Sequence, residues 1–212
     1  CQPYLASYLA LDIFKMTLKY GNSAVSPFAY VIYGAALCGI FKDYAAGVRF
    51  GELALKAKTR FGNPQMNAKV LLYFSNGIII WHRPIRQVIG LNREGLKSAR
   101  DTGDLNYTIY HIQSLIFSML AGGRPLDDIG EECDRYYEFV EKSCDIGALN
   151  YLISVNQFIK CLKGDTSHVH SLDDEHFSES RHIKNIQSDD IKIILCRHHL
   201  LKLRLLYIME NY

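Results

Sequence analysis

Apolar positions in this chain recur at helical spacing almost from its first residue. Between Gln2 and Tyr20 the stripe Tyr4, Leu5, Tyr8, Leu9, Leu11, Ile13, Phe14 and Leu18 predicts a helix, and Gly21-Asn22-Ser23 closes it with a residue tolerant of left-handed backbone and a cap candidate. Helix pairs are expected over Ser26 to Ile40 with Asp43 to Arg60, Pro64 to His82 with Pro84 to Asp101, and Asp104 to Ala121 with Pro125 to Cys144. Pro84 and Pro125 suit the first turn of a second helix, where a missing amide proton is harmless. Small residues Ala35, Ala36, Gly39, Ala45, Ala46, Gly47, Gly51 and Ala54 crowd the first pair, as where two helices approach closely.

The pattern also repeats. Phe41 to Gly62, His82 to Gly103 and Gly123 to Cys144 align without a gap at successive offsets of 41 residues, with Arg83-Pro84-Ile85 falling on Arg124-Pro125-Leu126. Outside these stretches Tyr30, Leu71 and Ile112 keep the same register, as do Leu37, Ile78 and Met119. Such a period in helical sequence predicts stacked helix pairs, each burying an apolar face on its neighbour. The expected fold is therefore all-α: a right-handed α-α superhelix of tetratricopeptide-like pairs with a period of about 41 residues, forming one helical-repeat domain over 1–212. Proteins of this architecture chiefly hold and contact other molecules.

A fourth pair begins with Gly147 to Lys163 and is then interrupted. Residues 164–190 are polar and charged, with carboxylates set among histidines, and predict a mobile insert or a short irregular helix. Helical spacing returns in Ile191, Ile194, Leu195, Leu201, Leu205 and Ile208, so 191–212 reads as a terminal capping helix behind the capping pair Asp189-Asp190. Its Lys192, Arg197, His198, His199, Lys202 and Arg204 suit either an acidic surface or a membrane face or, more simply, a solvated solenoid cap.

Composition narrows the function. With 212 residues, 49% hydrophobic, there is ample material for a continuous core, and a formal charge of +2 lacks the basic excess of a dedicated nucleic-acid binder. The apolar runs Val70 to Trp81 and Ser114 to Ala121 are too short to span a bilayer, so no membrane role is expected. Six cysteines without a CxxC pair read as reduced, mostly buried thiols, which points to the cytoplasm. Neither an initiator Met nor a signal peptide opens the chain, and it stops on a helical pattern; both features suggest a fragment of a longer protein.

Candidate chemistry is sparse. His168, His170 and His176, with Asp173, Asp174, Glu175 and His182 nearby, offer a donor set for zinc or another divalent ion, but the spacing matches no closed zinc motif and a loop lacks the support that preorganises ligands. A metal-dependent enzyme using the His168–His182 loop is thus the minor alternative. Cys133, Cys144 and Cys161 have no neighbouring His in sequence, and Glu131-Glu132 and Glu138 with Glu141 fall on exposed helix faces. The Gly122-Gly123 pair lacks the Lys-Ser/Thr of a phosphate loop and reads as an interhelix turn. No cofactor is called for.

Certain phrases carry a resemblance. Gly21-Asn22-Ser23, the AYVIYG of Ala29 to Gly34, the VRFGELAL of Val48 to Leu55, and Thr102-Gly103-Asp104 with Tyr107 resemble, over about residues 20–160, the helical-repeat region of large bacterial signalling proteins. In that family the region follows a STAND-type, AAA-like ATPase module, often behind a serine/threonine kinase domain, and precedes GAF and histidine-kinase or cyclase output modules. A family phrase close to GYRFGELAL reads AGVRFGELAL here, and the 164–190 insert has no counterpart in the resemblance. The chain carries no GxxxxGK[ST], HRDxxxxN or DFG motif, so kinase and ATPase activity would lie elsewhere in a parent protein.

What the resemblance and the repeat together imply is a non-enzymatic regulatory module that binds a protein or peptide, including flanking domains of its own parent chain. A free-standing peptide-binding adaptor is the alternative. In helix-pair solenoids the concave wall comes mainly from the first helix of each pair. Tyr33, Tyr73, Asn76, Tyr110, Gln113, Asn150 and Gln157 are the candidate groove residues on those helices, with the amides Asn76 and Gln113 foremost because they offer both donor and acceptor.

Overall fold

The computed structural model describes residues 3–61, 63–188 and 192–210. It is all-α, with no strand among those residues. Helices α1 (Pro3–Tyr20), α2 (Ser26–Gly39), α3 (Tyr44–Phe61), α4 (Pro64–Tyr73), α5 (Ile85–Asp101) and α6 (Leu105–Ala121) precede α7 (Leu126–Lys142), α8 (Ile146–Lys163), α9 (Glu179–Ser188) and α10 (Lys192–Ile208). The chain gathers into two compact units, Cys1–Gly122 and Gly123–Tyr212. The expected Asp189-Asp190 cap lies outside the described residues.

Helix starts follow local chemistry. Asn63, Asp104 and Asp145 each accept a bond from a backbone N–H of the following first turn, at Gln65, Tyr107 and Ala148 respectively, so α4, α6 and α8 each begin with a satisfied donor. Just before two of these caps the backbone turns left-handed, at Gly103 with φ 68° and at Cys144 with φ 58°. Pro84 and Pro125 stand one position earlier than expected, as the residues preceding α5 and α7: their ψ of 140° and 139° is extended, and the first helical residue is the one after.

In the first unit α2 packs on α1 and α3, α5 packs on α4 and α6, and α2, α4 and α6 also touch in succession. The α2–α3 crossing depends on glycine: a Cβ on Gly34 would meet the Gly47 carbonyl at 2.8 Å, and one on Gly47 would meet Cys38 Sγ at 2.3 Å. Gly39, by contrast, faces open space. Val31, Val70, Phe74, Ile78 and Val88 fill the core around this crossing. α5 shows why the second helices read as amphipathic: Val88, Asn92, Gly95, Leu96 and Ala99 form one buried stripe, and its charged residues lie outside it. The predicted first helix Pro64 to His82 is continuous only to Tyr73. It relaxes into a π turn at Phe74–Ile78 and a 3-10 turn at Ile79–Trp81, where a Cβ on Gly77 would lie 2.9 Å from Ala35 Cβ.

In the second unit α8 packs against α7, α9 and α10. Leu152, Val155 and Phe158 of α8 are fully buried, as are Leu172 from the segment after α8, Ile186 of α9 and Leu205 of α10. The polar 164–190 stretch therefore does contribute apolar anchors, two of them complete. Asp174 Oδ1 accepts from the His176 and Phe177 amides and its Oδ2 from Lys160 and Gln157, while Asp173 Oδ1 accepts from the Glu179 amide at the start of α9. These contacts, led by Lys160, hold the Asp174 carboxyl well below the usual range.

Candidate functional site

The successive contact of α2, α4 and α6 lays aromatic side chains across three helices. Phe28 of α2 meets Tyr73 of α4 edge-on at 5.7 Å between ring centres. Tyr73 is hydrogen-bonded to Tyr107 of α6, and Tyr107 meets Tyr110 edge-on at 5.6 Å. Lys69 places its ammonium 5.2 Å from the Tyr107 ring centre and 3.8 Å from Asp104. Burial, together with the neighbouring Tyr73 and Asp104, pushes the Tyr107 phenol upward, so it remains a hydrogen-bond donor through physiological pH. Further along the same helices Ser114 donates to Asn76 Oδ1 at 2.6 Å, tying α6 to the π turn. Tyr73 and Tyr110 are 36% and 47% exposed, and Phe117, two turns beyond Tyr110, is 53% exposed. The result is a face of rings and amides, held by cross-helix contacts and still open to solvent.

The candidate groove residues divide between this face and packed interiors. Tyr73, Asn76 and Tyr110 belong to the face, and Gln113 sits beside Ser114, half-buried and partnered. Tyr33 is instead a packing residue: its ring stacks on Phe14 at 4.3 Å and meets Phe50 edge-on at 4.8 Å. Asn150 and Gln157 of α8 are 8% and 5% exposed, because α9, α10 and the segment around Asp174 pack over their side of the helix. Gln157 Nε2 donates to Asp174, while its Oε1 is buried without a partner among the described residues, at the edge of a cleft of about 520 Å³ lined by Asp134, Tyr137, Asn156, Lys160 and Lys163. Lys160 and Lys163 there are paired with Asp174 and Asp127.

Sequence reasoning missed two buried polar networks. In the first unit His111 is completely buried, with Nε2 2.9 Å from the Ala68 carbonyl and Nδ1 3.0 Å from Asn92 Oδ1, and so links α6 to α4 and α5. Burial holds its pKa down to about 4 against the opposing pull of the Ala68 carbonyl, so the ring is neutral at pH 7. In the second unit Ser154 Oγ lies 2.9 Å from His182 Nε2 and 3.1 Å from His198 Nδ1, and His198 Nε2 lies 3.3 Å from Glu179 Oε1. Lys202 donates to the other oxygen of Glu179 at 2.6 Å. Burial alone would raise the Glu179 pKa, but the bonds from His198 and Lys202 hold it down to about 2. Burial and the neighbouring His198 lower His182 to about 4.

A serine, two imidazoles and a carboxylate in hydrogen-bonded series have the composition of a nucleophilic triad. Here the set is closed inside the second unit. Ser154 is 1% exposed and His198 fully buried; the Ser154 hydroxyl donates to the Asn150 carbonyl and both imidazoles lie within hydrogen-bond distance of its oxygen, so the group is enclosed within the unit. His168, His170 and His176 are exposed and do not converge with His182: among the described residues no three His, Cys, Asp or Glu side chains come together as a metal site. Of the described cysteines, Cys38, Cys133 and Cys161 are buried and free, whereas Cys144 and Cys196 are exposed. Burial and flanking carboxylates push the Cys133 thiol up to about 12, the opposite of an activated nucleophile. No helix of the described residues is long and apolar enough to cross a membrane.

Comparison with known proteins gives one further fact. Over 158 residues, 74% of its length, the chain is 25% identical to hybrid signal transduction histidine kinase G of Dictyostelium discoideum, an amoeba rather than a bacterium. The chain spans only about 5% of that relative's length. No family model matches the chain, and no solved structure does.

Proposed function

We propose that this chain is a non-enzymatic protein-interaction module of a signal-transduction protein, built from tetratricopeptide-like helix pairs, and that it receives a peptide segment on the face formed by α2, α4 and α6. The observation that carries this reading is the partly exposed aromatic series Phe28, Tyr73, Tyr107 and Tyr110, fixed across three successive first helices. Aromatic rings of this kind give contact area at small entropic cost and are enriched at interfaces. The hydroxyls and the Asn76–Ser114 pair supply donors and acceptors for a peptide backbone.

The repeat supports the architectural part. α3, α5 and α7 begin at Tyr44, Ile85 and Leu126, and the capping residues Asn63, Asp104 and Asp145 follow the same 41-residue interval. Similarity to a histidine kinase far longer than this chain supports its place beside catalytic modules. The resemblance to repeat regions behind STAND-type ATPases agrees, since the sequence itself holds no nucleotide-binding motif. Free buried thiols suit a reducing compartment such as the cytoplasm.

Regulation would then follow from differential affinity. A segment that docks better on one arrangement of α2, α4 and α6 than on another shifts their packing and thereby the modules joined to them. The test is a parent protein carrying Tyr73→Ala and Tyr110→Ala together, assayed for kinase output and for binding of segments from its flanking domains. Both substitutions fall on solvent-exposed rings, so folding should survive. Wild-type binding and output in this variant would remove the proposal.

A further inference from the structure

Helix α10 is apolar on two sides. Its inner side, Ile194, His198, Leu201 and Leu205, is buried in the second unit. Its outer side carries Ile193, Cys196, Leu200, Leu203 and Tyr207, all exposed, with the four large side chains between 59% and 69% accessible. Those five positions are spaced three, four, three and four residues apart. This is the heptad seam that a straight helix presents to a second helix, and it runs about 21 Å along the axis at the usual helical rise. Scattered exposed apolar residues need no explanation, but a seam in heptad register does.

The residues bordering the seam identify its occupant. Lys192 and His199 precede seam positions, Arg197 and Arg204 follow them with their guanidinium groups over the Tyr151 and Phe158 rings of α8, and α10 contains no Asp or Glu. In a coiled pair these bordering positions face each other across the seam. A second copy of α10, parallel or antiparallel, would bring basic residues against basic residues. The second unit already shows the favourable combination: α7 buries Ile129, Cys133, Tyr136 and Val140, packs on α8, and pairs its Asp127 with Lys163 of α8. We infer that the outer face of α10 is a docking surface for an amphipathic helix of a partner protein, one whose own heptad seam is bordered by Asp and Glu. This inference is independent of the α2–α4–α6 face.

The test uses the 212-residue chain and two synthetic three-heptad peptides with the same leucine seam, one bordered by Glu and the other by Lys. Fluorescence anisotropy should show saturable binding of the Glu peptide, weakening as salt rises, and about tenfold or greater weakening for the Lys peptide. Leu200→Asn with Leu203→Asn should weaken the Glu peptide about tenfold or more with unchanged far-ultraviolet circular dichroism, because both side chains are exposed. Lys192→Glu with His199→Glu should reverse the preference between peptides. Equal binding of the two peptides, binding indifferent to the leucine substitutions, or no binding of either peptide would each overturn the inference. So would a dimer of the unliganded chain that the leucine substitutions dissociate, since the seam would then belong to a second copy.

Discussion

Gly95→Ala tests the buried His111 network most directly. In an isolated helix this substitution is favourable by about 1 kcal/mol, because alanine restricts the unfolded chain and suits the helix. Here the added methyl would lie 2.1 Å from His111 Cε1 and 2.3 Å from Nε2. The ring cannot retreat without giving up its contacts to Ala68 and Asn92, and it is fully buried. Crowding a filled core costs about 1–3 kcal/mol, and each buried polar atom left unpaired costs about 1–3 kcal/mol. Taking the middle of each range for one overpacked site and two lost partners, then subtracting the helix gain, predicts a net loss of about 5 kcal/mol. The chain has one tryptophan, Trp81, and it belongs to the first unit, so urea unfolding followed by its fluorescence reports on the unit that is perturbed. A variant as stable as the parent, or stabilised by the helix term, would show that His111 does not hold the position described. A second substitution sharpens the test. Forty-one residues earlier the same two positions are Ala54 and Val70, both buried, so Gly95→Ala with His111→Val recreates a pair the chain already packs. The double variant should recover more than half of the loss; if it is worse than the single one, the two positions are not coupled through the ring.

Other outcomes follow from the same geometry. Cys144 sits at φ 58°, as Gly103 does 41 residues earlier at φ 68°, and Cys144→Gly should raise stability by about 1 kcal/mol in urea unfolding. Both His111 and His182 are lowered to about 4 from an ordinary 6.5, so the unfolded chain binds the extra protons and stability falls as pH drops from 6.5 toward 4. For His111 the loss reaches about 3 kcal/mol, and the Gly95→Ala, His111→Val variant should flatten that slope in Trp81 fluorescence. Glu179, held down to about 2 from 4.5, contributes stability that is lost between those values, so the second unit weakens further below pH 4.5; circular dichroism of Glu179→Gln should lack that lower step. Asp174→Ala removes the acceptor for two loop amides, Gln157 and Lys160, and hydrogen exchange should speed at His176 and Phe177 while Trp81 fluorescence stays unchanged.

How much of this was legible from sequence depends on the range over which each feature is decided. The caps Asn63, Asp104 and Asp145 act on backbone two or three residues away, and the apolar stripe of α5 is written in its own seventeen residues, so both could be read locally. The candidate face was partly legible too: Tyr73, Asn76 and Tyr110 follow from first-helix register, but Phe28, Tyr107 and Ser114 needed the lateral contacts among α2, α4 and α6. Register alone failed in α8. Ser154 falls 41 residues after Gln113, and the repeat assigns both to the same side of a first helix. In α6 that position is half-buried, whereas in α8 the helices α9 and α10 cover it, and Asn150, Ser154 and Gln157 turn inward with it. The histidines that meet Ser154 stand 28 and 44 residues away, on α9 and α10, so no local spacing rule could pair them. In α8, which α9 and α10 cover, the position changes from a half-buried amide to a buried hydroxyl, and what is a candidate face in the first unit becomes a joint for folding.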